Sequence, residues 1–127
     1  MKKYIILILA AALALCGCQK QWQWSGGDLG VNSTRVNLTK DAGAFTVTVF
    51  SDKGWTALVT KGADWLKLEE SSGSGIDTIH LENSENFEDP ARVAVLVLTA
   101  DTGKVIEVKI VQSGTKETAS SIPDELL

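Results

Sequence analysis

From Thr34 onward apolar residues recur at every second position, and no stretch holds a helical spacing for more than a turn or two. Val36 and Leu38 alternate with Arg35 and Asn37, and Phe45, Val47 and Val49 alternate with Thr46 and Thr48. Ile79 and Leu81 are interleaved with Thr78, His80 and Glu82, and Ile106, Val108 and Ile110 with Glu107 and Lys109. A strand sends successive side chains to opposite faces, so this pattern makes half-buried strands and leaves no helix able to build a core. Turn-forming residues punctuate it at 41–43, 51–54, 71–75, 83–90 and 101–103. The pattern predicts about seven strands, at 34–39, 44–51, 54–60, 65–69, 76–82, 91–99 and 104–112. The fold class is therefore all-β, an antiparallel sandwich. A core drawn from so short a segment buries only about 60% of the unfolded surface, so a few large side chains must carry much of it.

Two tryptophans fall inside this region. In a regular strand over 54–60, Trp55 shares a face with Ala57 and Val59, opposite Thr56, Leu58 and Thr60. That face is apolar, which makes Trp55 a core residue. Trp65 reads differently, because alternation groups it with Lys67 and Glu69 and puts Leu66 and Leu68 on the other side. Trp65 is then either a cap on the sheet's end or a partly open ring. An open indole stacks on the C–H face of a sugar, so Trp65, with hydrogen bonds from Lys67 and Glu69, is the candidate carbohydrate site. Strand 91–99 is apolar on both faces, with Val93, Val95 and Val97 on one and Ala94, Leu96 and Leu98 on the other. Either the tether or the tail covers its second face, or that face is left for a partner.

The N-terminus carries a targeting segment. Lys2 and Lys3 precede an unbroken apolar run over 5–15, shorter than the roughly 20 residues a membrane span needs. Leu15-Cys16-Gly17-Cys18 follows, and resembles a bacterial lipobox: residues 1–17 are expected to be removed and Cys18 to become the acylated N-terminus. Both cysteines are used here, so the mature domain has no disulfide and must be stable by packing. More than one acyl chain makes such an anchor stable. Gln19 after the lipidated residue, where inner-membrane retention is associated with aspartate, directs the expectation to the outer membrane. Residues 18–33 read as a tether in which Trp22 and Trp24 suit either the membrane interface or docking on the domain. Residues 115–127 show no strand pattern and read as a mobile, disordered tail.

Removing the signal leaves ten basic residues against sixteen acidic ones, a net charge of about −6. No basic, aromatic-rich patch is present, which argues against nucleic acid as a partner. The single histidine, His80, alternates with Ile79 and Leu81 on a strand, and one histidine without free cysteine cannot build a zinc site. Glu82, Glu85, Glu88 and Asp89 crowd one loop without the spacing of a calcium motif, and read as a solvated acidic loop or a low-affinity calcium site. The Ser-rich turn at 71–75 lacks the strand-to-helix geometry of a nucleophile elbow. No enzyme is expected, and no cofactor.

The order of the motifs is similar to one known family. "GWT" at 54–56, "ADWL" at 63–66, "SSGSG" at 71–75, Asn86, Arg92, Gly103 and "VIEVKIVQSG" ending in Gln112 and Gly114 together resemble the BACON domain of gut-dwelling Bacteroidetes, over residues 34–114. The resemblance implies an immunoglobulin-like β-sandwich and a role in binding glycans, host mucin among them. Some members serve as spacers. No catalytic domain follows in this sequence, so binding here would serve a separate protein or the cell surface. Two readings stand: an accessory glycan-binding lipoprotein, and a structural or assembly module that meets an envelope protein. A Trp65 open in a groove favours the first; a buried Trp65 beside an exposed apolar face favours the second.

Overall fold

The computed structural model describes residues 29–127, which form two packed sheets of nine strands. In chain order these are β1 (Gly30–Val31), β2 (Arg35–Leu38), β3 (Gly43–Phe50), β4 (Gly54–Lys61), β5 (Leu66–Leu68), β6 (Ser72–Ser74), β7 (Asp77–Asn83), β8 (Arg92–Ala100) and β9 (Val105–Gln112). The first sheet runs β1-β3-β7-β5 and the second β2-β9-β8-β4-β6. All neighbours are antiparallel except β2 and β9, which are parallel. The expected signal peptide, with Cys18, Trp22 and Trp24, lies outside the described residues.

The period-two pattern becomes the core directly. Val47, Val49, Ile79, Leu81 and Leu66 face inward from the first sheet, and Trp55, Ala57, Leu96, Leu98, Val108 and Ile110 from the second. All seven expected strands are present, and two more appear. β1 is a two-residue strand that pairs Gly30 with Phe50 and Val31 with Val49. With Leu29 buried in the core, the domain starts earlier than residue 34, inside the expected tether. β6 lies in the Ser-rich turn and pairs with the start of β4, so that Gly73 faces Trp55. Both extra strands are too short and too Gly/Ser-rich to show alternation.

The tail also departs from expectation. Residues 115–127 form no strand, but they dock instead of moving freely. Arg35 on β2 donates from Nη1 to Asp124 Oδ1 (2.6 Å) and from Nη2 to the Ala119 carbonyl (2.9 Å). Lys109 on β9 donates to the Leu127 carbonyl (3.1 Å), and Ala119 is buried. Arg35 and Lys109 are register partners on the outer face of the second sheet, so the tail lies across that face at β2 and β9. Val111, outward by its position in β9, is accordingly closed from solvent. Farther along the face the cover ends: Leu58 is 63% exposed opposite a half-buried Val97.

Candidate functional site

The expected site splits when it is placed on the fold. Trp65 does not belong to a strand. Gly62, at φ 86°, starts a turn in which its carbonyl accepts from both the Trp65 and the Leu66 N–H groups (3.1 and 2.9 Å). Only then does β5 begin. Alternation therefore does not apply between 65 and 66, and both side chains turn inward: Trp65 is 7% exposed and Leu66 1%. Glycine at 62 is required twice, for its left-handed backbone and for space. A Cβ there would meet Ala94 Cβ at 2.7 Å and Trp65 Nε1 at 3.1 Å.

One face of the Trp65 ring is closed by Arg92, whose guanidinium carbon lies 4.4 Å from the ring centroid in a cation–π contact. The guanidinium is itself fixed. Nε donates to Gln112 Oε1 (2.7 Å), and Nη2 donates to the Ser84 carbonyl, Ser84 Oγ and the Glu85 carbonyl (3.2–3.3 Å). Gln112, fully buried, donates in turn to the Lys40 and Ser84 carbonyls (3.2 and 2.8 Å). Asn86, also buried, donates to the Pro90 and Ser113 carbonyls, while its Oδ1 accepts from the Glu88 N–H. These bonds satisfy backbone groups of three converging loops that burial would otherwise leave costly. Burial lowers the Arg92 pKa from its ordinary value, and Asp64 and Glu88 act against that shift.

Two hollows flank Trp65. The larger, about 430 Å³, is lined by Lys61, Asp64, Glu88 and Arg92 around the ring's edge. The smaller, about 250 Å³, lies between Trp65, Asp64, Lys67 and Glu82. So Trp65 and Lys67 do come together, whereas Glu69 lines neither hollow. Its N–H donates to the His80 carbonyl, and its side chain is exposed. The ring is not an open stacking platform. Among the described residues Lys61, Asp64 and Glu88 form no side-chain hydrogen bond or ion pair, and Arg92 Nη1 has no partner. The larger hollow is therefore bordered by free donors and free acceptors. Sequence reasoning missed it, because its four charged residues come from two segments far apart in sequence, 61–64 and 88–92, and acquire a common wall only through the turn at Gly62 and the loop held by Asn86.

Elsewhere, exposed His80 pairs with Glu70, whose Oε2 lies 2.7 Å from His80 Nδ1. The acidic loop is partly neutralised: Asp89 Oδ1 accepts from Thr115 Oγ1 (2.6 Å), and Lys116 lies 3.9 Å from its other oxygen. Among the described residues no three metal-ligating side chains gather, and no helix is long and apolar enough to cross a membrane.

Two antiparallel sheets packed face to face, with a parallel strand added at one edge and polar loops clustered at one end, place the chain among immunoglobulin-like β-sandwich modules. Residues 54–113 match the model of the BACON family, described as "Putative binding domain, N-terminal", and the chain carries a BACON domain. Among curated proteins none matches. Among solved structures the fold is similar to part of a Bacteroides ovatus GH5 xyloglucanase, solved in complex with a XXXG heptasaccharide. The TM-score is 0.61 at 17% identity, covering 68% of this chain and 19% of that one. It is also similar to the periplasmic chaperone SfaE, with TM-score 0.55, 12% identity, and 77% of this chain and 62% of that one covered. The Escherichia coli chaperone DraB gives TM-score 0.55 and 12% identity, with 70% and 56% covered. The chain thus spans about a fifth of the xyloglucanase and somewhat over half of each chaperone; at these identities the likeness is one of fold.

Proposed function

We propose that the chain is a non-catalytic accessory module of the cell envelope, held at the outer membrane through lipid on Cys18, and that its sandwich binds glycan. The observation carrying this reading is the hollow of about 430 Å³ beside Trp65, where Lys61 and Arg92 offer donors and Asp64 and Glu88 offer acceptors that no described residue uses. Its size falls in the range of about 300–1,000 Å³ usual for small-ligand sites. Because Arg92 closes the ring, affinity comes from hydrogen bonds to hydroxyls and not from stacking on Trp65. The match to a binding-domain family supports this reading.

The test is a glycan array probed with the detergent-extracted mature lipoprotein. Retention on a defined set of glycans is the expected result; a blank array overturns the reading. One observation favours a second reading, a module that meets an envelope protein. Trp65 is buried, and on the outer face of the second sheet Leu58 and Val97 leave apolar surface uncovered by the tail. A blank array together with a cross-linked envelope protein that Leu58→Asp abolishes would put the second reading in place of the first.

A further inference from the structure

We infer that the larger hollow selects neutral saccharides and discriminates against glycans carrying carboxylate or sulfate groups. This rests on the glycan-binding reading and adds the chemical class of its ligand.

The first argument is charge balance. Two cationic side chains, Lys61 and Arg92, and two anionic ones, Asp64 and Glu88, line the hollow. Each sugar hydroxyl is both donor and acceptor, so a neutral ligand pairs with all four. An acidic group gains from one pair and is repelled by the other, and it gives up its hydration on entering.

The second argument is the state of Arg92. Recognition of a carboxylate or sulfate by arginine draws its strength from two parallel N–H groups offered as a fork. Here Nε is committed to Gln112, Nη2 to Ser84 and Glu85, and the ring face to Trp65. Only Nη1 remains, and it gives single hydrogen bonds of the kind a hydroxyl accepts. Lys61 adds a point charge on a flexible, exposed stem, without a fork.

Titration of the full-length lipoprotein in neutral detergent micelles tests this, with lactose and N-acetyllactosamine set against their sialylated and 6-sulfated counterparts. The neutral sugars should bind and the acidic ones should be at least about fivefold weaker, a difference of roughly 1 kcal/mol. Asp64→Asn combined with Glu88→Gln keeps shape and hydrogen-bonding capacity but leaves the hollow cationic. It should raise affinity for the acidic sugars several-fold and erase the discrimination. Lys61→Met, at an exposed position, should weaken the neutral sugars as well. Tighter binding of acidic than neutral sugars by the unmodified protein would overturn the inference and leave glycan binding intact. So would discrimination that survives the double substitution. If none of these sugars nor any array glycan binds, both fail together.

Discussion

Trp55 and Trp65 are buried to nearly the same degree, 2% and 7% exposed, yet each is closed by different means. Trp55 lies in regular β4 and is covered by backbone. Gly73 of β6 crosses its ring, and a Cβ there would lie 2.9 Å from Trp55 Cε2 and Cη2. Its Nε1 is a buried donor with no hydrogen-bond partner among the described residues, at a cost of roughly 1–3 kcal/mol. Trp65 lies in a turn and is covered by a charged side chain that a polar network holds in place. A backbone lid admits nothing. A guanidinium lid leaves donors and carboxylates around its rim, which is where the two hollows flank Trp65.

The sharpest test of this comparison is deletion of each ring. Trp55→Ala should lower unfolding stability by about 3–5 kcal/mol, the usual cost of truncating a buried aromatic. For a domain this small that approaches the whole margin. From the alternation of 65–69 alone, Trp65→Ala would be the milder change. The observed burial places it in the same range, toward about 3 kcal/mol, because one ring face contacts Arg92 and not apolar core. Urea midpoints for both variants check this. A midpoint barely moved by Trp65→Ala would mean that the polar network, not the ring, holds that end together.

Changing the lids separates the two mechanisms at smaller cost. Gly73→Ala pushes a methyl into the Trp55 ring and should cost about 1–3 kcal/mol by overpacking. Arg92→Met keeps an apolar cover but strands Gln112 Oε1 and the Glu85 carbonyl, also about 1–3 kcal/mol. The two differ in where they act. With 5-fluorotryptophan incorporated, Gly73→Ala should shift the Trp55 fluorine resonance and Arg92→Met that of Trp65. If both substitutions move both resonances equally, the two ends form one unit and the comparison fails.

What could be read from the sequence follows the same division. Trp55, Ala57 and the five long strands, β3, β4, β7, β8 and β9, obey alternation, because a regular strand converts sequence parity directly into burial. Trp65 broke the rule because alternation needs an unbroken strand, and the turn begun by Gly62 resets parity between 65 and 66. β6 was hidden since Ser72–Ser74 carries no apolar residue: its role is to supply a glycine, and its pairing comes from β4. The tail was misjudged for a related reason. Its anchors are carbonyls and one carboxylate taken by Arg35 and Lys109, contacts with no periodic signature. The residues that marked the family resemblance, Asn86, Arg92, Gln112 and Gly114, fared better than any strict rule. The first three form the network that closes Trp65, and Gly114 packs against the Asp89 and Pro90 backbone, where a side chain would collide.

The smallest expected effect separates the two ends by pH. Residues 69–71 carry the chain from β5 in the first sheet to β6 in the second, where Gly73 closes Trp55. Glu70 clamps this crossing. Its Oε1 accepts from the His80 N–H (2.6 Å), and this bond is the main cause that lowers its pKa from the ordinary 4.5, with the His80 ring adding to it. A carboxylate whose pKa is lower in the folded state stabilises the fold above its unfolded value. That contribution is lost as pH falls from about 4.5 through the lower folded value. Protonated Glu70 can no longer hold the crossing, so the lid over Trp55 should loosen first. The Trp65 end, closed by a guanidinium that stays charged in acid, should not follow. Hydrogen exchange followed from pH 6 down through pH 4 to pH 3 should show protection falling at 70–74 before it falls at 84–92, the change coming below about pH 4.5. In Glu70→Gln that difference should disappear, with protection at 70–74 already reduced at pH 6. Equal loss at both ends on acidification, or an unchanged pattern in Glu70→Gln, would show that the crossing is held by its backbone bonds at Glu69 and Ser71 and not by the Glu70 carboxylate.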